Sequence, residues 1–495
     1  MWIPDWSEVW QQLLYHKSSP LIFNSGVFLF LFTAFLLVYH FVRRSNRGKI
    51  LYLTLFSLFF YYKTCGLFVV LLLVVATSDF LIGRAMGRSE GKWARKWLIT
   101  ASILVNMGLL AYFKYTNFFS GLLAQWAEKP FTPFDIILPV GISFFTFQSL
   151  SYTLDLYRNR IRPVERLVDY VFYVSFFPQL VAGPIVRARD FLPQIFRADF
   201  VSRAMIGEGL FLIISGLFKK AVISDYISIN YVDRIFDNPL LYSGIENLLG
   251  VYGYALQIYC DFSGYSDMAI GIALLLGFRF NINFDSPYKS ATITEFWRRW
   301  HISLSSWLRD YLYISLGGNR KGKLRTYVNL MLTMLLGGLW HGAALQFVLW
   351  GALHGVSLAI HKAMMAWFPS FRSTGAEMGR WRRIAGILVT FHLVCLGWVF
   401  FRASSFASGL QVLGQIAGQW NLSLLPQLMS GYKAVLFLMA LGYLLHFLPR
   451  TLDQKAQRIF ATRRLWVQGL AVVAVIILVM LVKSSQIQPF IYFQF

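Results

Sequence analysis

The sequence predicts an all-α polytopic membrane protein, and three observations carry that expectation. Of the 495 residues, 57% are hydrophobic and only 14% are charged. Apolar runs recur all the way from Phe23 to Val482. The hydrophilic intervals between them reach about fifteen residues, too few to fold as soluble domains. A membrane helix needs about 20 mostly apolar residues, and this chain supplies such stretches repeatedly. The reading is therefore one integral-membrane domain over residues 1–495.

Charge and cysteine content exclude other classes. The net charge of +23 would suggest nucleic acid in a soluble chain. In an apolar chain, an excess of Lys and Arg marks cytoplasmic loops, and no nucleic-acid partner is expected. Cys65, Cys260 and Cys395 are isolated, which argues against a disulfide framework or a metal site. The opening MWIPDWSEVW has acids and tryptophans where a signal peptide has a basic region, so the first span is expected to stay as an anchor.

Basic clusters then set the order of crossings. A nearly neutral N-terminus, expected outside, precedes a span at 21–42 that ends in Arg43, Arg44, Arg47 and Lys49. Residues 50–83 are basic on both flanks and read as a tight hairpin that crosses twice. Spans at 97–115 and 136–157 follow, joined by the sparsely charged TNFFSGLLAQWAEKPFTPF. FFPQLVAGPIVR is too short and too broken by Pro178, Gly183 and Pro184 to cross, so it reads as a broken or re-entrant helix. RARDF and FRADF come next and are expected to face the cytoplasm. Spans are expected at 205–218 and 248–260, two at 327–368 with a turn near 342–346, then 384–401, 434–448 and 465–482. Residues 404–431 carry no charge and read as an outer loop. The chain as a whole is read as about eleven spans plus re-entrant and interfacial helices.

One stretch breaks the apolar monotony. Residues 292–355 hold EFWRRWHISLSSWLRDYLYISLGGNRKGK and GGLWHGAALQFVLWGALHG, and each half presents a histidine, His301 and His341. Ionisable groups are costly in hydrocarbon, so their presence there reads as function by default. Thr292 and Glu295 have capping-box spacing and predict a helix start. Trp297, Trp300, Leu304, Trp307 and Tyr311 recur on one face of that helix, with Arg298, Arg299, Ser306, Arg309 and Asp310 mainly on the other. Such a helix would lie in the interface plane or against the bundle. Gly337, Gly338 and Gly342 around His341 would let another backbone or a ligand approach closely, and Trp340 could wall a pocket. His354 reads as a packing or interhelical hydrogen-bonding residue, and His16, His40, His361, His392 and His446 as structural or interfacial. Upstream, CDFSGYSDMAIG places Asp261 and Asp267 in apolar surroundings, where carboxylates need partners. The arginines of the 298–309 helix are the expected ones. GGNRKG is a basic glycine turn that could cradle a phosphate.

CDFSGYSDMAIG, FDSPYKSATITEFWRRWHISLSSWLRDYLYISLGGNR and LWHGA together resemble the membrane-bound O-acyltransferase family. The likeness is to its bacterial alginate O-acetyltransferase branch, and LPVGISFFTFQSLSYTLDLYR, FFPQLVAGPIVR and the terminal FIYFQF share it. The D-alanyl-transferring branch shares the WRRWH-like helix but less of CDFSGYSD and SLGGNR. The resemblance implies a helical bundle around a tunnel that brings a cytoplasmic acyl donor to an acceptor from the far side. It places the family's invariant histidine at His341 and its second active-site position at His301. Trp340, Asp267, Arg298, Arg309 and Asp310 are the expected supporting residues. The implied reaction moves an acetyl group from acetyl-CoA, with no tightly bound cofactor and no metal. The group would pass to periplasmic acetyltransferase partners of the SGNH-hydrolase type that decorate an exported polysaccharide. The expected location is the bacterial inner membrane with both termini periplasmic, and the charge pattern leaves residues 484–495 as an extracytoplasmic tail, read either as an interfacial aromatic anchor or as a docking segment for the partner. Chemically, a neutral histidine suits deprotonation of an accepting hydroxyl near pH 7. The developing oxyanion needs donors, and His301, Trp340 or backbone N–H groups are each able to serve. Cytoplasmic lysines and arginines would attract a polyanionic donor. Transfer of D-alanine from a carrier protein, or transport without chemistry, are the competing readings.

Overall fold

A computed structural model describes residues 13–16, 20–196, 201–372 and 378–482. Every regular element among the described residues is helical. The FRADF segment beyond Phe196 and the tail at 484–495 lie outside the described residues. The chain forms two compact units, Met1–Val201 with Leu276–Phe280, and Ser202–Leu275 with Asn281–Phe495.

In the first unit, Ser25 starts α1 (Gly26–Val42) by accepting the Phe28 N–H at 3.1 Å. Ser45 does the same for α2 (Asn46–Cys65). Such caps satisfy amide donors that a helix start leaves without partners. α2 and α3 (Val69–Arg88) are separated only by the 3-10 turn Gly66–Phe68 and form one helical stretch of 43 residues. The break lies inside the expected hairpin at 50–83, where Gly66 stands at φ 64° and ψ −136°, outside the helical region. α2 packs chiefly on α7 (Leu167–Ser175), and α3 on α4 (Lys92–Leu110) and α6 (Ile142–Tyr157). The buried carboxylate of α3 is satisfied sideways: Asp79 accepts from Ser102 Oγ and Asn106 Nδ2, each at 2.7 Å. α4 also overruns its expected end, continuing through a π-helical turn at Ala111–Tyr115 into α5 (Thr116–Trp126).

FFPQLVAGPIVR is broken as expected. α7 stops at Ser175, the four-residue α8 (Phe177–Leu180) follows an extended Phe176, and residues 181–187 are irregular. All of it is buried, and irregular backbone is tolerated at membrane depth only when protein covers it. The unit's other short helix, α9 (Ala188–Ile195), carries RARDF.

The second unit is built on two long helices in backbone contact, α10 (Arg203–Leu217) and α11 (Gly244–Leu275). A Cβ added to Gly216 would lie 2.4 Å from the Gly264 carbonyl oxygen, and one added to Gly271 would lie 2.5 Å from that of Gly209. Small residues allow this approach where apolar side chains give no drive to associate. α11 spans 32 residues and holds all of CDFSGYSDMAIG, well beyond the expected 248–260. The close crossing also fixes the ion pairs. Lys219 and Lys220 stand one turn beyond Gly216, and Asp261 and Asp267 stand one turn either side of Gly264. Lys219 Nζ meets Asp267 at 2.6 Å, and Lys220 meets Asp261 and Asp225. These lysines, not the arginines of 298–309, neutralise the two carboxylates.

The unit continues through α12 (Ile293–Arg299), α13 (Ile302–Trp307), α14 (Lys323–His341), α15 (Leu345–Trp367) and α16 (Arg380–Arg402). Residues 404–431 are uncharged but not a loop, because α17 (Phe406–Gly418) and the short Leu425–Gly431 helix occupy them. α18 (Lys433–Phe447), α19 (Arg450–Thr462) and α20 (Leu465–Val482) complete the described chain. Among the described residues, five helices are long and apolar enough to cross a membrane, or six if Leu422–Gly431 and α18, bent by 88°, count as one. The expected count of about eleven also includes shorter or more polar segments such as α1, α6 and α14.

Candidate active site

The two singled-out histidines come together. His301 and His341 are both buried in the second unit, with ring centroids 6.5 Å apart. Trp340 touches both, at 6.3 Å from His301 and 5.1 Å from His341.

His341 is the last residue of α14, and its position follows from a helical hairpin. α14 and α15 are joined through Gly342–Ala344, where the turn was expected. Two of the glycines beside His341 let α14 and the start of α15 come close. A Cβ on Gly338 would lie 2.2 Å from the Phe347 carbonyl oxygen, and one on Gly342 would lie 2.1 Å from the Phe347 ring. α15 thus lies directly on α14 and aims Trp350 at the His341 imidazole, edge to face at 5.0 Å. Phe401 of α16 adds a second ring at 5.4 Å.

His301 sits at a break that the periodic pattern concealed. The helix starts at the expected cap: Thr292 Oγ1 accepts the Glu295 N–H at 3.1 Å, and the Glu295 carboxylate reaches one residue past the cap to the Ala291 N–H at 2.9 Å. The helix so begun ends after seven residues at Arg299, and a new one starts at Ile302. The continuous amphipathic helix expected across 295–311 is thus corrected to two short ones. His301 stands between them in the left-handed conformation, φ 43° and ψ 55°. A non-glycine residue pays strain there, and such strain persists only where surroundings impose it. Here the imposing element is the irregular segment around Asn283. Ile302 N–H donates to the Asn283 carbonyl at 2.8 Å, and Asp285 N–H to the Arg299 carbonyl at 2.9 Å. The Asn283 side chain then lies 3.2 Å from His301 Nδ1.

Around the pair the walls are aromatic. Phe262 meets the His301 ring edge to face at 4.6 Å, and Phe284 packs on Trp300 at 5.0 Å. Water-poor walls strengthen every electrostatic interaction inside and hold ionisable groups neutral. Burial pushes the His301 pKa down to about 3, so its imidazole is neutral at physiological pH.

The remaining expected residues divide. Trp340 belongs to the site by contact. Asp267 is held by Lys219 on the α10–α11 crossing. Arg309 and Asp310 pair with each other at 2.7 Å, with the Arg309 side chain 64% exposed, and Arg298 is exposed. His354 is an interhelical bonder as expected, accepting the Trp297 indole N–H at 3.3 Å. His361, His392 and His446 contact Thr294, Tyr252 and Tyr288 respectively. No cluster of three or more His, Cys, Asp or Glu able to hold a metal occurs among the described residues. Asn283 was missed by sequence reasoning. Its one signal, the alternation in FRFNINF, points the wrong way: Ile282 is 45% exposed and Asn283 is 1% exposed.

The sequence profile of the membrane-bound O-acyltransferase family matches residues 8–409. The chain is 39% identical over 449 residues to a probable alginate O-acetylase AlgI of Pseudomonas syringae pv. tomato, covering 88% of this chain and 84% of the relative. It is 37% identical over 435 residues to a peptidoglycan O-acetyltransferase of Helicobacter pylori, covering 82% and 81%. A teichoic acid D-alanyltransferase of Bacillus subtilis is 28% identical over 288 residues, covering 55% and 71%.

Proposed function

The chain belongs to the membrane-bound O-acyltransferase family, and from that premise we propose that it moves an acetyl group from cytoplasmic acetyl-CoA toward hydroxyls of an exported polysaccharide. The observation that carries this reading is the buried imidazole pair, 6.5 Å apart and enclosed by Trp340, Trp350, Phe262 and Phe401. His341 is the general base. Its imidazole takes the proton of the accepting hydroxyl as the oxygen attacks the thioester carbonyl carbon. The carbon–oxygen bond forms, the carbon–sulfur bond breaks, and the departing thiolate recovers the proton from the imidazolium. Trp340 donates to the developing oxyanion in this reading, since an indole nitrogen is a donor only and its ring lies beside both imidazoles.

Acetyl rather than D-alanyl transfer is favoured by similarity: relatives named for O-acetylation match at 37–39% identity over four-fifths of the chain or more, against 28% over 55% for the D-alanyl relative. The acceptor is an alginate-like or cellulose-like polymer, reached through a periplasmic acetyltransferase of the SGNH-hydrolase type. The protein sits in the inner membrane with both termini periplasmic, around a tunnel joining donor and acceptor sides.

The test uses the purified full chain and radiolabelled acetyl-CoA. Coenzyme A release is expected, and His341→Ala, at equal expression, is expected to slow it by roughly 10²–10⁴-fold. Release from a D-alanyl carrier protein but not from acetyl-CoA would overturn the acetyl assignment.

A further inference from the structure

We propose that Asn283 is a positioning residue that fixes the tautomer of His301, making Nε2 a hydrogen-bond acceptor and removing His301 from the candidate oxyanion donors. The inference rests on the active-site reading given above and on four contacts of one side chain. Ser303 N–H lies 3.1 Å from Asn283 Oδ1, and Ser303 Oγ lies 2.9 Å from the same atom. His301 Nδ1 is the third neighbour of that oxygen, at 3.2 Å, and the Asn283 amide nitrogen reaches Ser266 Oγ at 3.2 Å.

A backbone N–H is only ever a donor. The atom facing Ser303 N–H must therefore be the amide oxygen, which fixes which way Asn283 is turned. That oxygen is only an acceptor, so the His301 nitrogen beside it must carry the proton. Ser303 Oγ is 3.5 Å from His301 Nδ1 but 2.9 Å from Asn283 Oδ1, so its hydrogen goes to the amide and leaves the assignment intact. A neutral imidazole protonated at Nδ1 holds its lone pair at Nε2. Asn283 also grips the backbone: its carbonyl accepts the Ile302 N–H at 2.8 Å, just after the strained His301. One residue thus sets both the ring's orientation and its protonation pattern, as partners of ligating or catalytic imidazoles do elsewhere.

The consequence is a division of labour. A neutral His301 accepts a proton or hydrogen bond from substrate at Nε2 and gives none from that atom. Donation to the oxyanion falls to Trp340 or to backbone N–H groups.

The test combines a spectroscopic reading with a rate. The full chain in detergent, with 15N in its histidine rings, is measured by NMR; the His301 signal is the one that His301→Gln removes. The expected native pattern is a protonated Nδ1 and an unprotonated Nε2. Asn283→Asp, which keeps the acceptor oxygen, should retain that pattern. Asn283→Leu should lose it and lower the maximal rate of coenzyme A release from acetyl-CoA roughly 10–100-fold, with KM for acetyl-CoA unchanged. A native His301 protonated at Nε2 would overturn the proposal, as would a full rate in Asn283→Leu. Should the leucine variant not fold, the native tautomer and the aspartate variant still decide. Full activity in His301→Gln is a separate result: it refutes the active-site reading of His301, whatever the tautomer.

Discussion

His301 stays uncharged because it is buried, and that has a consequence for stability against pH. Its folded pKa is pushed down to about 3, whereas the unfolded chain presents an ordinary imidazole near 6.5. Between those values the unfolded state binds more protons, so stability falls as pH falls from 6.5 toward 3. Melting of the detergent-solubilised protein should therefore drop on acidification, and His301→Gln should flatten that dependence. An unchanged slope in the variant would show His301 to be hydrated in the folded state. Trp297 offers a contrast at the same scale. Trp297→Phe removes the indole donor to His354 and leaves a buried acceptor unmet, a cost of about 1–3 kcal/mol. It should lower melting while sparing the rate per folded molecule. His301, His341 and Trp340 were legible in the sequence, because polar rings in an apolar chain stand out. Asn283 was not, since its partner is 18 residues away and local alternation placed it on the wrong face.

Helices place these residues, and glycines decide how closely the helices approach. On α14, Gly338→Ala would set a methyl 2.2 Å from the Phe347 carbonyl oxygen, which is backbone and has little freedom to yield. Overpacking of this kind typically costs about 1–3 kcal/mol, and here it would also displace His341 three residues on. Loss of activity together with lower melting is expected. Gly108 is the control: nothing lies within 4 Å of its added Cβ, so Gly108→Ala should be neutral or slightly stabilising. Equal effects of the two changes on melting would contradict the close contact between α14 and α15. Most helices were readable from apolar length and basic flanks, including the α14–α15 turn and the break in FFPQLVAGPIVR. Two kinds of feature were not. The break at His301 is invisible to periodicity because Trp300 and Leu304 continue the apolar face across it, and both are buried. The Lys219–Asp267 and Lys220–Asp261 pairs depend on which helices cross at Gly216 and Gly264, a long-range fact that charge patterning cannot supply.

For the whole molecule, the charge pattern predicts which ends face the cytoplasm. Cys65, Cys260 and Cys395 are all buried, so a single introduced cysteine reports its own side. Ser404→Cys should react with an impermeant thiol reagent in intact cells, and Arg380→Cys only after permeabilisation; the reverse would move the donor entrance to the wrong side. Family membership was readable from linear motifs because they cluster around the two histidines and span most of the chain. The acceptor was not, because nothing in a membrane bundle's composition encodes a polymer that arrives from outside. The central claim, acetyl transfer at the imidazole pair, is tested most directly by the O-acetyl content of the cell's exported polysaccharide. In cells lacking the native gene, the wild-type chain should restore acetylation. His341→Ala at equal membrane abundance should leave the polymer unacetylated, whereas acetyl content restored to the wild-type level by that variant would contradict the account.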